Sequence, residues 1–284
     1  MISLDKILLA DSGTGQAEVL LKYLLDIPVF QRANITVLHV VSPQVTAEGM
    51  TLKWEEGGKT LARTIQSLQL DPAKSNAMLR EGDPKSIVCQ VADEIDASLI
   101  IMGSRGLKRL QSILENSVSQ YVFQLAARPM LLVKDDIYVK RIRKVLVTID
   151  RSDASQQALQ LALTMLRDVK GGQVVLVHVN SDLKSVPDVP MERPETDPVL
   201  VPAVAEAKRM GVSYRCEAPS GKPGARICAL AEELDVDLLV MGSPDRRPSI
   251  AKGLVDLDKL LGQSLSDYIR VYASCPVLLT RLPV

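Results

Sequence analysis

Short apolar runs alternate along the chain with segments in which apolar residues recur at every third or fourth position. In the first half the runs lie at residues 7–10, 35–41, 77–79, 99–102 and 130–133. They lack polar alternation and are rich in β-branched residues, which is typical of strands covered on both faces. The helical spacing falls at residues 16–25, 51–70, 84–95 and 115–127. This order predicts an α/β fold, in which a five-stranded parallel sheet carries helices on both faces.

The second half of the chain repeats the first. At a shift of 139 positions Asp11 falls on Asp150 and Gly103 on Gly242. Beyond these glycines the shift becomes 147, because the second copy carries eight extra residues. A shift that stays constant over so long a stretch indicates the duplication of a whole domain.

With 284 residues, the chain has room for two ordinary domains. We predict two tandem Rossmann-like domains, at residues 1–136 and 141–284, with an insertion at 245–262 in the second. The insertion mixes charged residues with leucines. It fits a tolerated surface insertion, a surface for a partner or part of a modified ligand site, and the sequence leaves these three open.

Composition narrows the class of protein. Hydrophobic residues make up 46% and charged residues 24% of the chain, as in a globular protein. The 34 Lys and Arg residues equal the 34 Asp and Glu residues, so no net charge attracts nucleic acid or an anionic membrane. No apolar run reaches 18 residues and the start does not resemble a signal peptide, so we expect a cytoplasmic protein.

The cysteines and histidines do not form a recognisable reactive or metal-binding pattern. No Cys-x-x-Cys pair occurs, and we interpret all four cysteines as reduced core residues: Cys89, Cys216, Cys228 and Cys275. His39 and His178 lie too far apart in sequence to predict a metal cage. Each lies near the end of the second predicted strand of its copy, where a hydrogen-bonded structural histidine is more common than a catalytic one.

Candidate chemistry collects after the first and fourth strands, where ligands bind in doubly wound sheets. After the fourth strand, Gly103 and Gly106 let backbone amides approach an anion and Arg105 offers a charge-assisted donor. After the first strand, Asp11 could accept hydrogen bonds from a ribose or a base. Taken alone, the same residues also fit a turn, and Asp11 fits the N-cap of the first helix.

These residues resemble the signature of the universal stress protein family. Residues 99–106 (LIIMGSRG), nine further residues and then 116–119 (NSVS) are similar to the pattern Gly-x-x-Gly-x9-Gly-Ser/Thr. The opening strands at 6–11 and 145–152 and the entry to the third helix at 81–84 resemble the same family. The resemblance covers nearly the whole chain in two copies.

The resemblance implies an adenine nucleotide site in the first domain. The ATP-binding branch of the family holds adenosine near the ends of the first two strands and phosphates on the glycine loop. Carried onto this sequence, that implies ATP, or alternatively AMP or ADP, with Mg²⁺ or Mn²⁺ bridging the phosphates. The implied binding residues are Asp11, Val40, Met102, Gly103, Arg105, Gly106, Asn116, Ser117, Val118 and Ser119.

Both copies depart from the family pattern. In the first, Asn116 replaces the third glycine, and the stretch from Lys6 to Asp11 is one residue shorter than its counterpart. In the second, Pro244 removes a donor, while Asp245 and Gln263 replace the second and third glycines. The second site is therefore predicted to be degenerate.

Two functions fit the pattern. The leading hypothesis is a nucleotide-binding stress-response protein that signals to an unknown protein partner through its bound state. It would not be an enzyme, since no residue resembles a general base for phosphoryl transfer. The alternative is a nucleotide-free interaction scaffold, in which the tandem domains mimic a family dimer with or without further dimerisation. An NAD-dependent oxidoreductase is disfavoured, because no Gly-x-Gly-x-x-Gly follows either first strand.

Overall fold

The computed structural model of the chain describes residues 4–13, 15–104, 118–180, 193–243 and 264–281. The chain divides into two compact units between Asp136 and Ile137. Four of the predicted binding residues lie outside the described residues: Arg105, Gly106, Asn116 and Ser117. The insertion at 245–262 and its flanking residues Pro244 and Gln263 do so as well.

The first unit is a five-stranded parallel sheet with helices on both faces, as predicted. The strands are β1 (Lys6–Ala10), β2 (Asn34–Val41), β3 (Ser75–Glu81), β4 (Leu99–Ser104) and β5 (Met130–Lys134). The helices are α1 (Gln16–Leu25), α2 (Ala47–Leu68), α3 (Pro84–Glu94) and α4 (Val118–Leu125), with a short 3-10 turn at Phe30–Arg32. The strand order is β3-β2-β1-β4-β5.

The second unit repeats this architecture. Its strands are β6 (Lys144–Thr148), β7 (Gln173–Val177), β8 (Ser213–Glu217), β9 (Leu238–Gly242) and β10 (Val277–Thr280). Its helices are α5 (Asp153–Leu166), α6 (Leu200–Arg209), α7 (Pro223–Glu233) and α8 (Leu265–Tyr272), with a 3-10 turn at Pro194–Thr196. The strand order is β8-β7-β6-β9-β10. The duplicated α/β fold predicted from the sequence is thus confirmed.

Consecutive burial along the central strands explains the parallel sheets. Ile7, Leu8 and Leu9 of β1 have no exposed surface, and Val145 and Leu146 of β6 have none either. Neighbouring residues in a strand point to opposite faces, so such a strand must be covered by helices on both. In the first unit α1 packs with α2, and α3 packs with α4.

Helix α2 begins earlier than the apolar spacing predicts, at Ala47 instead of residue 51. The side chain of Thr46 accepts a hydrogen bond of 3.1 Å from the backbone N–H of Gly49. This N-cap satisfies one of the free amides of the first turn, so the helix extends over residues that lack an apolar stripe.

In the second unit, α5 lies directly on the end of β9 with no side chain between them. A Cβ on Gly242 would stand 2.5 Å from the carbonyl carbon of Ala154 and 2.6 Å from the amide nitrogen of Ser155. Backbone atoms cannot swing aside as a flexible side chain can. Gly242 is therefore required for the close approach of helix and strand.

Replacing Gly242 by alanine should destabilise the second unit by about 3 kcal/mol, because the added methyl group pushes the backbone of α5 off the sheet. The control is Gly58→Ala on the exposed face of α2, where a Cβ meets no atom within 4 Å. That change should stabilise the chain by about 0.5–1 kcal/mol through helix propensity. Urea denaturation followed by circular dichroism measures both, and a Gly242→Ala protein as stable as the wild type would contradict this packing.

Candidate functional site

A cavity of about 390 Å³ opens at the carboxyl ends of β1, β2 and β4 in the first unit. Six of the ten predicted binding residues line it: Asp11, Val40, Met102, Gly103, Val118 and Ser119. They come from the ends of three strands and the start of α4, which lie far apart in sequence. The other four lie outside the described residues, so their positions remain predictions.

The strand order explains why the cavity forms at this place. From β1 the chain proceeds through β2 to β3 on one side, and it then crosses back to β4 on the other side of β1. The loops that follow β1 and β4 therefore diverge to opposite faces of the sheet. This switch point leaves a crevice at the carboxyl edge, which is the usual ligand position in doubly wound folds.

One end of the cavity offers a favourable setting for an anion. Val118 and Ser119 lie at the start of the described part of α4, and Pro84 is the first residue of α3. All three line the cavity. The partial positive charge at the start of α4 favours a phosphate or another anion. The start of α3 adds no free amide, because Pro84 has no N–H and the next three amides donate to Asp83.

The described residues that line the cavity include two acidic residues, Asp11 and Asp135, and no lysine or arginine. A polyphosphate would therefore need positive charge from elsewhere, and Arg105 follows the cavity residue Ser104 directly in sequence. Within the described ranges, no three His, Cys, Asp or Glu side chains are grouped so that they could hold a metal ion. This donor set fits a divalent ion held mainly by phosphate oxygens, not by a protein cage.

The Asp11 carboxylate is buried, and each of its two oxygens accepts a hydrogen bond from its own unit. Only 7% of the residue is exposed. One oxygen accepts a 2.7 Å hydrogen bond from the backbone N–H of Gly13, and the other accepts a 2.6 Å bond from the Thr64 hydroxyl. The N-cap of α1 is Gly15, with no side-chain hydrogen bond. The capping interpretation of Asp11 is therefore wrong.

The match of Asp11 with Asp150 is also wrong, by one residue. The backbone N–H of Asp11 donates to the carbonyl oxygen of Leu38. In the second unit the equivalent hydrogen bond, to the carbonyl oxygen of Val177, comes from the backbone N–H of Ile149. Strand pairing agrees, since Ala10 faces Leu38 whereas Thr148 faces Val177. The residue missing between Lys6 and Asp11 shifts the carboxylate inward. Asp11 takes the place of buried Ile149, whereas Asp150 is exposed at the next position.

His39 and His178 hold the first loops in equivalent ways. The Nδ1 atom of His39 lies 2.8 Å from the carbonyl oxygen of Asp11, and that of His178 lies 3.0 Å from the carbonyl oxygen of Ile149. This confirms hydrogen-bonded structural histidines, although both are half-buried and not core residues. His39 also lines the cavity, which its position one residue before Val40 could have suggested.

The corresponding region of the second unit is packed differently. Gly242 is covered by the backbone of α5, so its retention follows from packing and is not evidence of a phosphate loop. Ser243 is 1% exposed, whereas its counterpart Ser104 is half-buried and lines the cavity of the first unit. Asp150 accepts hydrogen bonds from the backbone and hydroxyl of Ser152, the residue that caps α5.

The four cysteines form no disulfide in the described part of the chain. Only Cys275 is buried, so the expectation of four core cysteines is wrong for the other three. Burial, and then the charge of Asp93, raises the pKa of the Cys89 thiol to about 11. Burial likewise raises the pKa of Cys216 to about 11. Both thiols are therefore poor nucleophiles at neutral pH.

Across the described part of the chain, no helix has the length and apolar character needed to span a membrane.

Comparison with known proteins gives consistent matches. The sequence model of the Universal stress protein family matches the chain twice, at residues 3–134 and 141–281. The universal stress protein YxiE of Bacillus subtilis is 27% identical over 146 residues, which cover 46% of this chain and 99% of that protein.

A solved structure of high similarity has the same fold. A universal stress protein from Archaeoglobus fulgidus is similar over 99% of this chain and 98% of its own, with 22% identity and a TM-score of 0.72. An Arabidopsis thaliana protein of the family with AMP bound covers 49% of this chain and 90% of its own, with 20% identity and a TM-score of 0.34. That second likeness is too low to place a nucleotide in this chain.

The two aspartates after the first strands should respond differently to removal. Asp11→Ala should cost about 2 kcal/mol of unfolding free energy, because the buried Thr64 hydroxyl and the Gly13 amide lose their acceptor. Asp150→Ala, at an exposed position, should cost about 0.5 kcal/mol or less. Chemical denaturation of the two variants measures the difference, and equal losses would contradict the one-residue shift.

Proposed function

The chain belongs to the universal stress protein family, and we propose that its first unit binds an adenine nucleotide in the cavity between β1 and β4. The observation that carries the proposal is the convergence of Asp11, Val40, Gly103 and Ser119 on one cavity. The family signature implies each of these residues from the sequence alone. The remaining implied residues, from Arg105 to Ser117, directly precede α4 in sequence.

The chemistry of the cavity suits the parts of such a ligand. Ala10, Leu38 and Val40 form an apolar wall at the ends of β1 and β2, suited to a purine ring. The start of α4 suits the phosphates. ATP is the proposed ligand, with ADP and AMP as alternatives and with Mg²⁺ or Mn²⁺ offsetting the phosphate charge beside Asp11 and Asp135.

We further propose that the bound state, and not turnover, carries the signal to a protein partner. Both oxygens of Asp11 already accept hydrogen bonds within the unit, which lowers its suitability as a general base for attacking water. Bound nucleotide would instead stabilise the loops at the cavity by mass action and so alter a surface that a partner reads. We assign this role to residues 1–136 and a degenerate, regulatory role to residues 141–284.

A nucleotide-free scaffold is the second candidate. It is favoured by the two carboxylates in the described cavity wall and by the close packing of Gly242 and Ser243 in the second unit. Under this alternative, the family fold serves only to present surfaces to partners. The two candidates differ in whether the purified chain carries or binds a nucleotide.

The test compares Val40→Glu with the matched change Val179→Glu at the equivalent half-buried position of the second unit. Protein purified without added nucleotide is denatured, the extract is analysed by mass spectrometry, and ATP, ADP and AMP binding is measured by calorimetry with Mg²⁺ and with EDTA. We expect one adenine nucleotide per chain in the wild type and in Val179→Glu. Val40→Glu should bind at least tenfold more weakly, because its carboxylate intrudes on the cavity and repels phosphate.

Two results would contradict the proposal. The first is a wild-type chain that carries no nucleotide and binds none in calorimetry, which would leave the scaffold as the function. The second is an equal loss of nucleotide affinity in Val40→Glu and Val179→Glu. Hydrolysis of ATP at about one turnover per second or faster would contradict the non-enzymatic role. It would leave the proposal of nucleotide binding unaffected.

A further inference from the structure

A second pocket, of about 470 Å³, lies between helices α1 and α2 of the first unit. It shares no lining residue with the cavity described above. The loop after β1 separates the two, since Asp11 and Ser12 line the cavity whereas Gly13 and Gly15 line the second pocket. We call it the polar pocket, because none of its described lining residues is aromatic or aliphatic.

The polar pocket carries one negative and one positive side chain, on different helices. Glu18 belongs to α1 and Arg63 to α2. Within the described ranges, neither of these two residues forms an ion pair. A purely anionic ligand would be repelled by Glu18, and a purely cationic ligand would be repelled by Arg63. The two side chains together favour a ligand that carries both charges.

One oxygen of the Glu18 carboxylate can accept a hydrogen bond from such a ligand. The Oε1 atom accepts a bond from the hydroxyl of Ser67. The Oε2 atom lies 3.5 Å from the hydroxyl of Thr64, but that hydroxyl donates its proton to Asp11 at 2.6 Å. An ammonium group is a strong donor for the Oε2 atom, because both partners of the bond are charged.

The guanidinium group of Arg63 can donate to the other end of the ligand. It carries several N–H groups, and its described hydrogen bond, from Nη2 to the hydroxyl oxygen of Thr60, is long at 3.4 Å. The hydroxyl of Thr60 in turn donates to the backbone carbonyl oxygen of Glu56. A guanidinium group pairs best with a carboxylate, which can accept two parallel bonds from it.

The equivalent helices of the second unit are bridged directly by their own side chains. Gln160 of α5 donates a 2.6 Å hydrogen bond to Glu206 of α6. Arg209 of the same helix forms an ion pair with Glu206. The carboxylate between these helices is therefore satisfied within the protein, whereas the first unit leaves opposite charges at the two sides of a pocket.

We propose that the polar pocket binds a free, small and polar α-amino acid. The ammonium group of the ligand bonds to Glu18 and its carboxylate bonds to Arg63, so that the ligand connects α1 with α2. The hydroxyl and amide groups that line the rest of the pocket suit a short polar side chain. The pocket is separate from the nucleotide cavity, so this inference does not depend on the proposed function.

The test compares L-serine with two analogues that each lack one of its charges. Ethanolamine lacks the carboxylate, and 3-hydroxypropanoate lacks the ammonium group. Calorimetry on the full chain should give a Kd of about 1 mM or tighter for L-serine. Each analogue should bind at least about tenfold more weakly, as expected for the loss of a hydrogen bond between charged groups. L-threonine and L-asparagine are measured in the same way.

Two variants identify which residue holds which end of the ligand. Arg63→Gln should weaken L-serine binding about tenfold and remove the preference over ethanolamine, while the preference over 3-hydroxypropanoate remains. Glu18→Gln should do the reverse. Neither residue is buried, so both variants should fold, which circular dichroism checks. The matched controls are Lys59→Gln and Glu55→Gln, at exposed positions of α2 outside the pocket, and both should leave the affinity unchanged.

Three results would overturn the inference. The first is a wild type that binds none of the three amino acids, and the second is one that binds L-serine no more tightly than either analogue. The third is a loss of affinity in the controls as large as in Arg63→Gln and Glu18→Gln. A chain that binds L-serine as expected but no nucleotide would support this inference and contradict the proposed function.

Discussion

Complete burial of strand β1 is the constraint on which the rest of the first unit depends. Ile7, Leu8 and Leu9 can lose all contact with water only if strands flank β1 on both sides and helices cover both of its faces. Right-handed crossovers then place the α1 and α2 pair on one face and the α3 and α4 pair on the other. The crevice at the end of β1 is a consequence of this arrangement, whatever residues line it.

The two units show how one duplicated fold can take different local structures at that position. In the first unit a residue is missing before Asp11, so a carboxylate occupies a buried site and recruits the hydroxyl of Thr64. In the second unit Ile149 fills the same site, and the backbone of α5 covers Gly242. The close packing of α5 is by itself a sufficient reason for Gly242 to be glycine, although the sequence pattern matches it with Gly103 of the cavity.

The sequence was sufficient to predict the order of elements, because apolar spacing is a direct record of which faces are buried. Helix α1 was predicted with its observed ends, and α2 was misplaced at its start because Thr46 acts through a cap, which apolar spacing does not register. The pairing of Asp11 with Asp150 failed because matching identical letters overlooks strand register. Thr64 was missed, although a single polar residue at buried spacing between Leu61 and Leu68 is a signal that could have found it.

The most direct test of the account is hydrogen exchange of the full chain with and without saturating ATP and Mg²⁺, read by peptide mass spectrometry. Peptides that contain Asp11, Val40 and Gly103 should exchange more slowly with nucleotide, because bound nucleotide would stabilise the loops there. Peptides with the counterparts Ile149, Val179 and Gly242 should be unchanged. Equal protection of both units, or protection of the second unit alone, would contradict the central claim that the first unit holds the nucleotide site.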